Sequence, residues 1–578
     1  MAVSKAVRGS KTSKNNFEAT LSEWEEKVRQ PSLASKPERK KEYKTLSDYV
    51  AKPIYTPLDL EGIDYQRDIG FPGQYPFTRG SMPNGYRSHD FAFSVSTGSG
   101  TCESCNKRIK SLIALGSKNA SSYVDLPTQI ALDSDDPRAK GEVGKIGTAI
   151  ASLADAEGLL DGIDISKYNM GFGASNCVAF LHLPLMLAMA EKRGVKPEDL
   201  PSLRLQNDPF KEYSGRGTFI FPVPIAIELS TDVKEYLVHY IPQKHPERIR
   251  AGSVCTTQLS WCGIGAGKEL GFALAHFATY IDSALRRGLK LEEFVPKMDW
   301  HAGCDLDIFQ EAAKFRAGRR LFARMIKEKY HCDLPKVQAL YCTCFISSQR
   351  MTAQQPFNNL CRISMEVLAA MLGGLENIAA PGYDEALAIM TEQSGRLSSL
   401  VKFILLHECG LENTIDPLAG SYYVESLTKQ IEEEAQYWFQ KIEDIGGAVA
   451  AVQKGFHHQE ELKGVYKEAK LVASGERTVI GVNRFRLNEE PPVEIFQGDP
   501  KDEQRQIERL KKLRAERNNA LVEEKLARLE DAAYKKVKDN KFNIIPAVLD
   551  AVKVYATHGE IGRVTRKVFG EYKAPTTI

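Results

Sequence analysis

Between residues 115 and 410, short runs of apolar or small residues alternate with long amphipathic stretches. The strand candidates are Ser122–Leu126, Asn169–Gly173, Leu203–Gln206, Phe219–Phe221, Ser253–Thr257, Lys297–Trp300, Ala339–Phe345 and Asn377–Ala380. The stretches Gly147–Leu160, Val178–Arg193, Thr231–Tyr240, Ala266–Arg287, Phe309–Lys329, Phe357–Leu372 and Tyr383–His407 carry apolar residues at helical spacing. A helix between successive strands returns the chain to the sheet edge from which it left, so the strands pair in parallel. The alternation makes the expected fold class α/β, and eight strands suit a (β/α)8 TIM-type barrel. Several strand ends carry small or polar residues: Ser121, Gly171, Thr256, Thr257, Thr343 and Cys344. Facing inward they leave space along the axis for an elongated ligand, where an ordinary barrel is filled by large branched side chains. Facing loops, they carry no such meaning.

The flanks differ from this centre. Residues 1–50 are charged, with one amphipathic stretch from Phe17 to Val28, and read as an N-terminal arm. The barrel with its Pro-, Gly- and Tyr-rich N-terminal belt is expected over 51–490, and a charged helical C-terminal segment over 491–578. Within that segment Asp502–Val537 reads as one long helix with opposite charges at i, i+4 spacing. Its leucine stripe must pack on the barrel or on a partner.

Lys and Arg total 77 against 75 Asp and Glu, a net charge of +2, which argues against a general nucleic-acid binder. No apolar run reaches the ~18–20 residues of a membrane-spanning helix. The basic, Ser-rich start has no apolar core, so it reads as a flexible arm or a weak transit peptide, not a secretory signal. Eleven scattered cysteines suit reduced thiols of a cytoplasmic protein. Cys102-x-x-Cys105 and Cys342-x-Cys344 lack the second pair of a zinc site, and no metal site is expected. His457–His458, on a polar helix, is expected to face solvent.

Longer signals carry more. They are Tyr75-Pro-Phe-Thr-Arg-Gly80, Asp133-Ser-Asp-Asp-Pro137 with Gly141-Glu-Val-Gly-Lys145, and Gln206-Asn-Asp208 with Lys211-Glu-Tyr213 and Arg216-Gly-Thr218. Ala313-Lys-Phe-Arg-Ala317 with Arg319-Arg320, Thr352-Ala-Gln-Gln-Pro356, Tyr383-Asp-Glu-Ala386, Asp416-Pro-Leu-Ala-Gly420 and Gly481-Val-Asn483 follow. In this order and spacing they resemble the large catalytic chain of the adenosylcobalamin-dependent acyl-CoA mutases, from about residue 45 to the C-terminus. The family includes methylmalonyl-CoA, isobutyryl-CoA, ethylmalonyl-CoA and 2-hydroxyisobutyryl-CoA mutases.

The resemblance implies a barrel with the acyl-CoA threaded along its axis. It also implies a radical rearrangement of the carbon skeleton, with adenosylcobalamin supplying the chemistry and the protein supplying binding and exclusion of side reactions. The family's cobalamin module uses a D-x-H-x-x-G motif that does not occur here. His558-Gly559 is the nearest candidate, with Ala556 where Asp is needed. The cobalt ligand is therefore expected from a separate small subunit, in a hetero-oligomer with two large chains. A GTPase chaperone is a further partner class.

Residue by residue, Arg216 matches the family Arg that forks the substrate's free carboxylate, for which a planar guanidinium is suited. The 2-hydroxyisobutyryl type lacks Arg there. Gln206 matches a substrate-contacting Gln, and Glu385 the Glu that holds the adenosyl ribose. Gln258 stands where the family has a His on the thioester carbonyl. The family's Tyr against the adenosyl group becomes Ser96, and a Phe-rich pocket run becomes Trp300-His-Ala302. Alternate Arg, His and Gln of one strand become Tyr341, Thr343 and Phe345. A His beside the corrin becomes Gln129. Arg residues that meet CoA become His89, Ser94 and Lys297. The expected catalytic residues are Gln258 and Arg216. Substrate contacts are expected at Arg216, Gln206, Ser96, Ser121, Ala302 and Lys297, and cofactor contacts at Glu385, Ala386, Gln129, Leu126 and Arg216. Emptied space at Ser96 and Ala302 suits a substituted succinyl-CoA interconverting with a substituted malonyl-CoA, bulkier than methylmalonyl-CoA. The alternatives are a methylmalonyl-CoA or isobutyryl/2-hydroxyisobutyryl-type mutase subunit, a mutase acting on another carrier, and a non-catalytic scaffold barrel.

Overall fold

A computed structural model describes residues 11–93, 95, 97–241, 249–250, 252–488 and 493–575, with the side chains of 11–16 excepted. The chain divides into two compact units, one ending at Ile54 and one beginning at Tyr55. In the first, Lys11–Trp24, a π-helical turn over Glu25–Arg29, and Gln30–Ser35 follow one another without a break.

The second unit is α/β, and its named strands pair only in parallel. Gly252–Cys255, Met298–Cys304, Tyr341–Ile346 and Asn377–Ala379 form a four-stranded sheet in that spatial order. Three short pairs continue the arrangement: Leu203–Arg204 with Ile249–Arg250, Ser122–Tyr123 with Phe172–Gly173, and Ser99–Gly100 with Gly147–Thr148. Single bridges at Val124–Thr148 and Met170–Leu203 tie these pairs into an arc. Among the described residues no pairing joins Asn377–Ala379 to the far end, so a closed barrel is not seen.

The longest strands are those with Trp300, Cys342, Cys344 and Ile346 to bury. The shortest are rich in Gly and Ser, which offer little side chain for cross-strand packing. Phe219–Phe221 is not a strand. Its backbone instead accepts a hydrogen bond at Ile220 O from Tyr572 N at 2.9 Å, and Phe219 packs on Tyr213 and Tyr572. The expected Gly147–Leu160 helix begins only at Leu153, where Ser152 and Asp155 form a capping box.

Three of the sequence motifs meet in the helical layer. Arg316, on helix Ile308–Glu328, pairs with Asp416 at 2.5 Å and with Glu425. Arg319 donates to Phe77 O at 3.1 Å and Arg320 to Asp68 O at 2.8 Å. Arg79 reaches Asp416 at 3.2 Å. Arg316, Arg319 and Arg320 are buried and Arg79 is half-buried; together they bind the belt to the helices, so they are structural. Asp133 likewise anchors the C-terminal segment, accepting from Arg514 at 2.6 Å, Thr557 Oγ1 at 2.6 Å and Gly559 N at 2.8 Å.

The Asp502–Val537 segment is two helices, Asp502–Glu516 and Asn519–Lys538, because the Asn518 side chain caps the second by accepting from Leu521 N at 3.1 Å. Leu510, Leu526 and Leu529 of its stripe are buried within the chain. His457 is buried too, not solvent-facing. Its Nε2 lies 3.2 Å from His276 Nε2, and His458 Nε2 lies 2.7 Å from Tyr213 O. No helix among the described residues is long and apolar enough to cross a membrane.

Candidate active site

Side chains alternate across the two long strands. Asp299 and His301, with Tyr341, Thr343 and Phe345, face a cavity of about 330 Å³. Trp300, Ala302, Cys304, Cys342 and Cys344 are buried, and Trp300 packs on Phe315 of the helical layer. A second cavity of about 340 Å³ lies at the strands' C-terminal ends, lined by Gln129, Lys211, Arg216, Gln258, Trp261 and Glu385 among others. Thr97, Tyr123, Gln206, Phe345 and Ala379 line both cavities, so the two are halves of one channel.

Arg216 is set in the outer half by a local device. Asp208 caps the short helix Pro209–Lys211 by accepting from Phe210 N at 3.1 Å, and a π-helical turn over Glu212–Arg216 follows. Gly217, at φ +89°, ends the turn in the left-handed region that only glycine enters freely. Gly215 lies so close to Gln258 that an added Cβ would stand 2.6 Å from the Gln258 Cβ. The turn therefore packs on Gln258, and Arg216 and Gln258 line the same half of the channel. Arg216 Nη1 is 3.6 Å from Glu212 Oε1, an ion pair too long for a hydrogen bond, and that nitrogen has no hydrogen-bond partner among the described residues. Glu212 is instead satisfied by Asn176 Nδ2 at 2.5 Å and by Thr218. The guanidinium lines the outer half of the channel, with Nη1 itself buried.

The neighbouring amides are poised as donors. Gln258 Oε1 accepts from Thr257 Oγ1 at 2.7 Å, and Gln206 Oε1 from Ala174 N at 2.9 Å. Each side-chain NH₂ then remains to donate into the channel. Gln129 is arranged oppositely: its Nε2 donates to Val124 O at 2.6 Å and its buried Oε1 has no partner. Glu385 is open to the channel. Loss of surrounding water and the nearby Asp384 raise its carboxyl to about 7, against a hydrogen bond from Ser348.

Of the other expected residues, Ser121 lines the inner half, and Ala386 lines an adjoining surface cavity with Glu385. Ala302 is wholly buried, paired in register with Cys344, and lines neither half of the channel. Lys297 is also away from both halves: its Nζ donates to Glu293 O. Leu126, half-buried, opens a short helix capped by Asp125 and lines neither half. Ser96, and Ser94 with it, lie outside the described residues. Sequence reasoning passed over Lys211, which lies in the quoted Lys211-Glu-Tyr213 motif and brings a second cation to the outer half. It also missed Arg204 and Arg250. Both line the inner half, with the Arg250 guanidinium 3.9 Å from the Tyr341 ring centroid and that of Arg204 6.0 Å from it.

Known proteins resemble this chain along most of its length. The family model described as methylmalonyl-CoA mutase matches residues 44–571. The 2-hydroxyisobutanoyl-CoA mutase large subunit of Aquincola tertiaricarbonis is 35% identical over 561 residues, 97% of this chain and 98% of that one. The human mitochondrial methylmalonyl-CoA mutase is 33% identical over 524 residues, 90% of this chain and 68% of the relative. The Escherichia coli methylmalonyl-CoA mutase is 31% identical over 535 residues, 92% and 73% respectively. With a family model covering all but the ends of the chain, this protein belongs to the methylmalonyl-CoA mutase family.

Proposed function

We propose that this acyl-CoA mutase chain isomerises a branched acyl-CoA bearing a free carboxylate, of the substituted succinyl-CoA to substituted malonyl-CoA type. The observation that carries the reading is Arg216, a fixed guanidinium with an unpartnered nitrogen, beside Lys211 and the amide donors of Gln258 and Gln206. Arg216 forks the carboxylate. Gln258 or Gln206 donates to the thioester oxygen and orients it. Apolar Trp261, Phe345 and Ile389 limit the water around the reacting carbons. We place the sheet arc in a closed (β/α)8 barrel whose axis is the channel.

The outer half fits a nucleoside-bearing cofactor. Glu385 offers a carboxylate to a ribose diol, and Gln129 Oε1 and Thr97 Oγ1 are buried polar atoms without partners. Adenosylcobalamin bound there supplies radical initiation. The chain's own residues hold the nucleoside and the acyl group together and keep both from solvent. The cobalt ligand comes from a separate small subunit. The missing D-x-H-x-x-G motif, the complete burial of His558 and the name of the Aquincola relative, a large subunit, support this. Assembly as two large chains with small subunits, and aid from a GTPase chaperone, complete the proposed set of partners. Eleven free cysteines suit a reducing, cytoplasmic setting.

The test is co-purification with the cobalamin-binding chain, then assay with adenosylcobalamin against substituted succinyl-CoAs, methylmalonyl-CoA, isobutyryl-CoA and 2-hydroxyisobutyryl-CoA. Turnover of a dicarboxylic thioester in preference to the monocarboxylic ones is expected. The reverse preference overturns the carboxylate assignment.

A further inference from the structure

Two wall elements of the outer half meet at one buried carboxylate. Asp208 Oδ1 accepts from Phe210 N at 3.1 Å and from the Tyr280 hydroxyl at 2.5 Å, and Oδ2 accepts from Cys255 N at 2.5 Å. Phe210 lies in the short helix that runs into the π-turn ending at Arg216. Cys255 ends the strand Gly252–Cys255, and the helix Thr257–Trp261 that carries Gln258 begins two residues later. Among the described residues no other hydrogen bond joins 208–217 to 252–262. Tyr280 belongs to the long helix Ala266–Arg286. The Phe210 ring lies edge-on to Tyr280, with centroids 5.5 Å apart, and stacks on His276 of the same helix at 4.3 Å. The base of the turn is thus seated on the helical layer.

The residue type answers to this joint. Capping a helix takes one acceptor oxygen, and Ser or Asn does it as well as Asp. Three donors from three elements occupy both oxygens of a carboxylate. Asp208 is wholly buried, so its charge needs balance. Lys234 supplies it from 4.1 Å above the Tyr280 ring, with its Nζ donating to Ser230 Oγ at 2.7 Å. Gly252 makes room for that side chain: a Cβ there would stand 2.6 Å from Lys234 Cε. Burial raises the Asp208 carboxyl to about 6, against the bonds from Tyr280 and Cys255 and the charges of Lys234 and Lys211. The group is therefore ionised at neutral pH and accepts from all three donors.

A thioester with a free carboxylate must reach Arg216 and Gln258 at once, whereas a one-ended acyl group needs only one of them. We propose that Asp208 is the positioning residue that fixes the spacing of Arg216 and Gln258, and with it the preference for a carboxylated acyl group. The assignment rests on the carboxylate reading of Arg216.

The test is calorimetric titration of the full-length chain with succinyl-CoA and butyryl-CoA, which differ by a carboxylate in place of a methyl group. The wild type is expected to bind succinyl-CoA about 30-fold more tightly. Asp208→Asn keeps one acceptor oxygen for Tyr280 and Phe210 but turns an amide N–H toward Cys255 N. It is expected to lower the succinyl-to-butyryl ratio about tenfold, with butyryl-CoA binding nearly unchanged. Arg216→Gln removes the preference, and adding Asp208→Asn to it should change the ratio no further, because both act through one contact. Should Asp208→Asn fail to fold by circular dichroism, Tyr280→Phe is read in its place. That variant keeps both backbone bonds and drops the phenol, for an expected loss of about threefold in the ratio. A merely structural Asp208 would weaken both thioesters equally. An unchanged ratio in the folded variant, or a further loss in the double variant, overturns the assignment. A wild-type ratio near one removes the carboxylate reading as well, and failure to bind either thioester removes the acyl-CoA reading. A wild-type preference that survives the loss of the joint removes only this assignment.

Discussion

Arg216 and Glu461 show how little of a charged residue's meaning lies in its identity. Arg216 has an acidic neighbour, but Glu212 spends its oxygens on Asn176 and Thr218, which leaves the guanidinium open toward the channel. Arg216→Gln is expected to cost ~2–5 kcal/mol of transition-state binding for a dicarboxylic thioester, roughly 30- to several-thousand-fold in kcat/KM. Loss for a monocarboxylic thioester should be small, and steady-state kinetics on both substrates measures the contrast. Glu461 is the opposite case. It is buried, its Oε1 has no partner among the described residues, and burial raises its carboxyl to about 8 from an ordinary 4.5. The folded state thus holds a proton that the unfolded chain releases. That stabilises nothing below the ordinary value, and the folded state loses ground as pH rises from 4.5 to about 8, with no further change above. Glu461→Gln removes this loss. Its stability advantage over the wild type should grow by about 3 kcal/mol between pH 6 and pH 9, measured by denaturant unfolding.

At the scale of elements, the π-turn over Glu212–Arg216 does the placing. Periodicity cannot reveal a single turn of five residues, and Gly215 and Gly217 do not say by themselves what they approach. Gly215→Ala pushes the turn away from Gln258, and a displacement on the order of 1 Å costs ~100-fold in rate. We expect a loss of that order in kcat/KM with little change in Tm. The strands were largely legible, because apolar runs between long amphipathic stretches have one sensible reading. The 99–100 and 147–148 pair was not, since two-residue strands of Gly, Ser and Thr carry no pattern. Nor was the break at Asn518. The charge pattern runs through it, and only the cap stops the helix. Alternation in Met298–Cys304 decided which residues line the channel. Counting along the family pattern selected Ala302, whereas the pleat turns Asp299 and His301 inward.

For the whole molecule, burial of the apolar stripe in the charged C-terminal helices leaves the N-terminal arm as the expected assembly contact. The arm exposes Phe17, Val28, Tyr43 and Val50 among dense charge, a composition that suits an interface core with a polar rim. Removal of residues 1–45 should weaken association with the small subunit or a second large chain, read by size-exclusion chromatography. The isolated chain should not bind cobalamin tightly, because His558 is wholly buried and the cobalt-ligand motif is absent. Visible spectroscopy showing micromolar or tighter binding would contradict this.

The sequence by itself determined the α/β class and the family, and it put forward Arg216, Gln206, Gln258 and Glu385, which the fold brings to one cavity. Periodicity and ordered motifs are properties of the chain in one dimension. Only the tertiary structure decided that the motif arginines 316, 319 and 320 are braces, not ligands, and that His457 is buried. Only there do Arg204, Arg250 and the Asp299–His301 pair meet in one channel. These residues come from three strands 46 or more positions apart, from 204 to 250 and from 250 to 299. Their proximity is set by strand pairing and pleat, which no local pattern encodes.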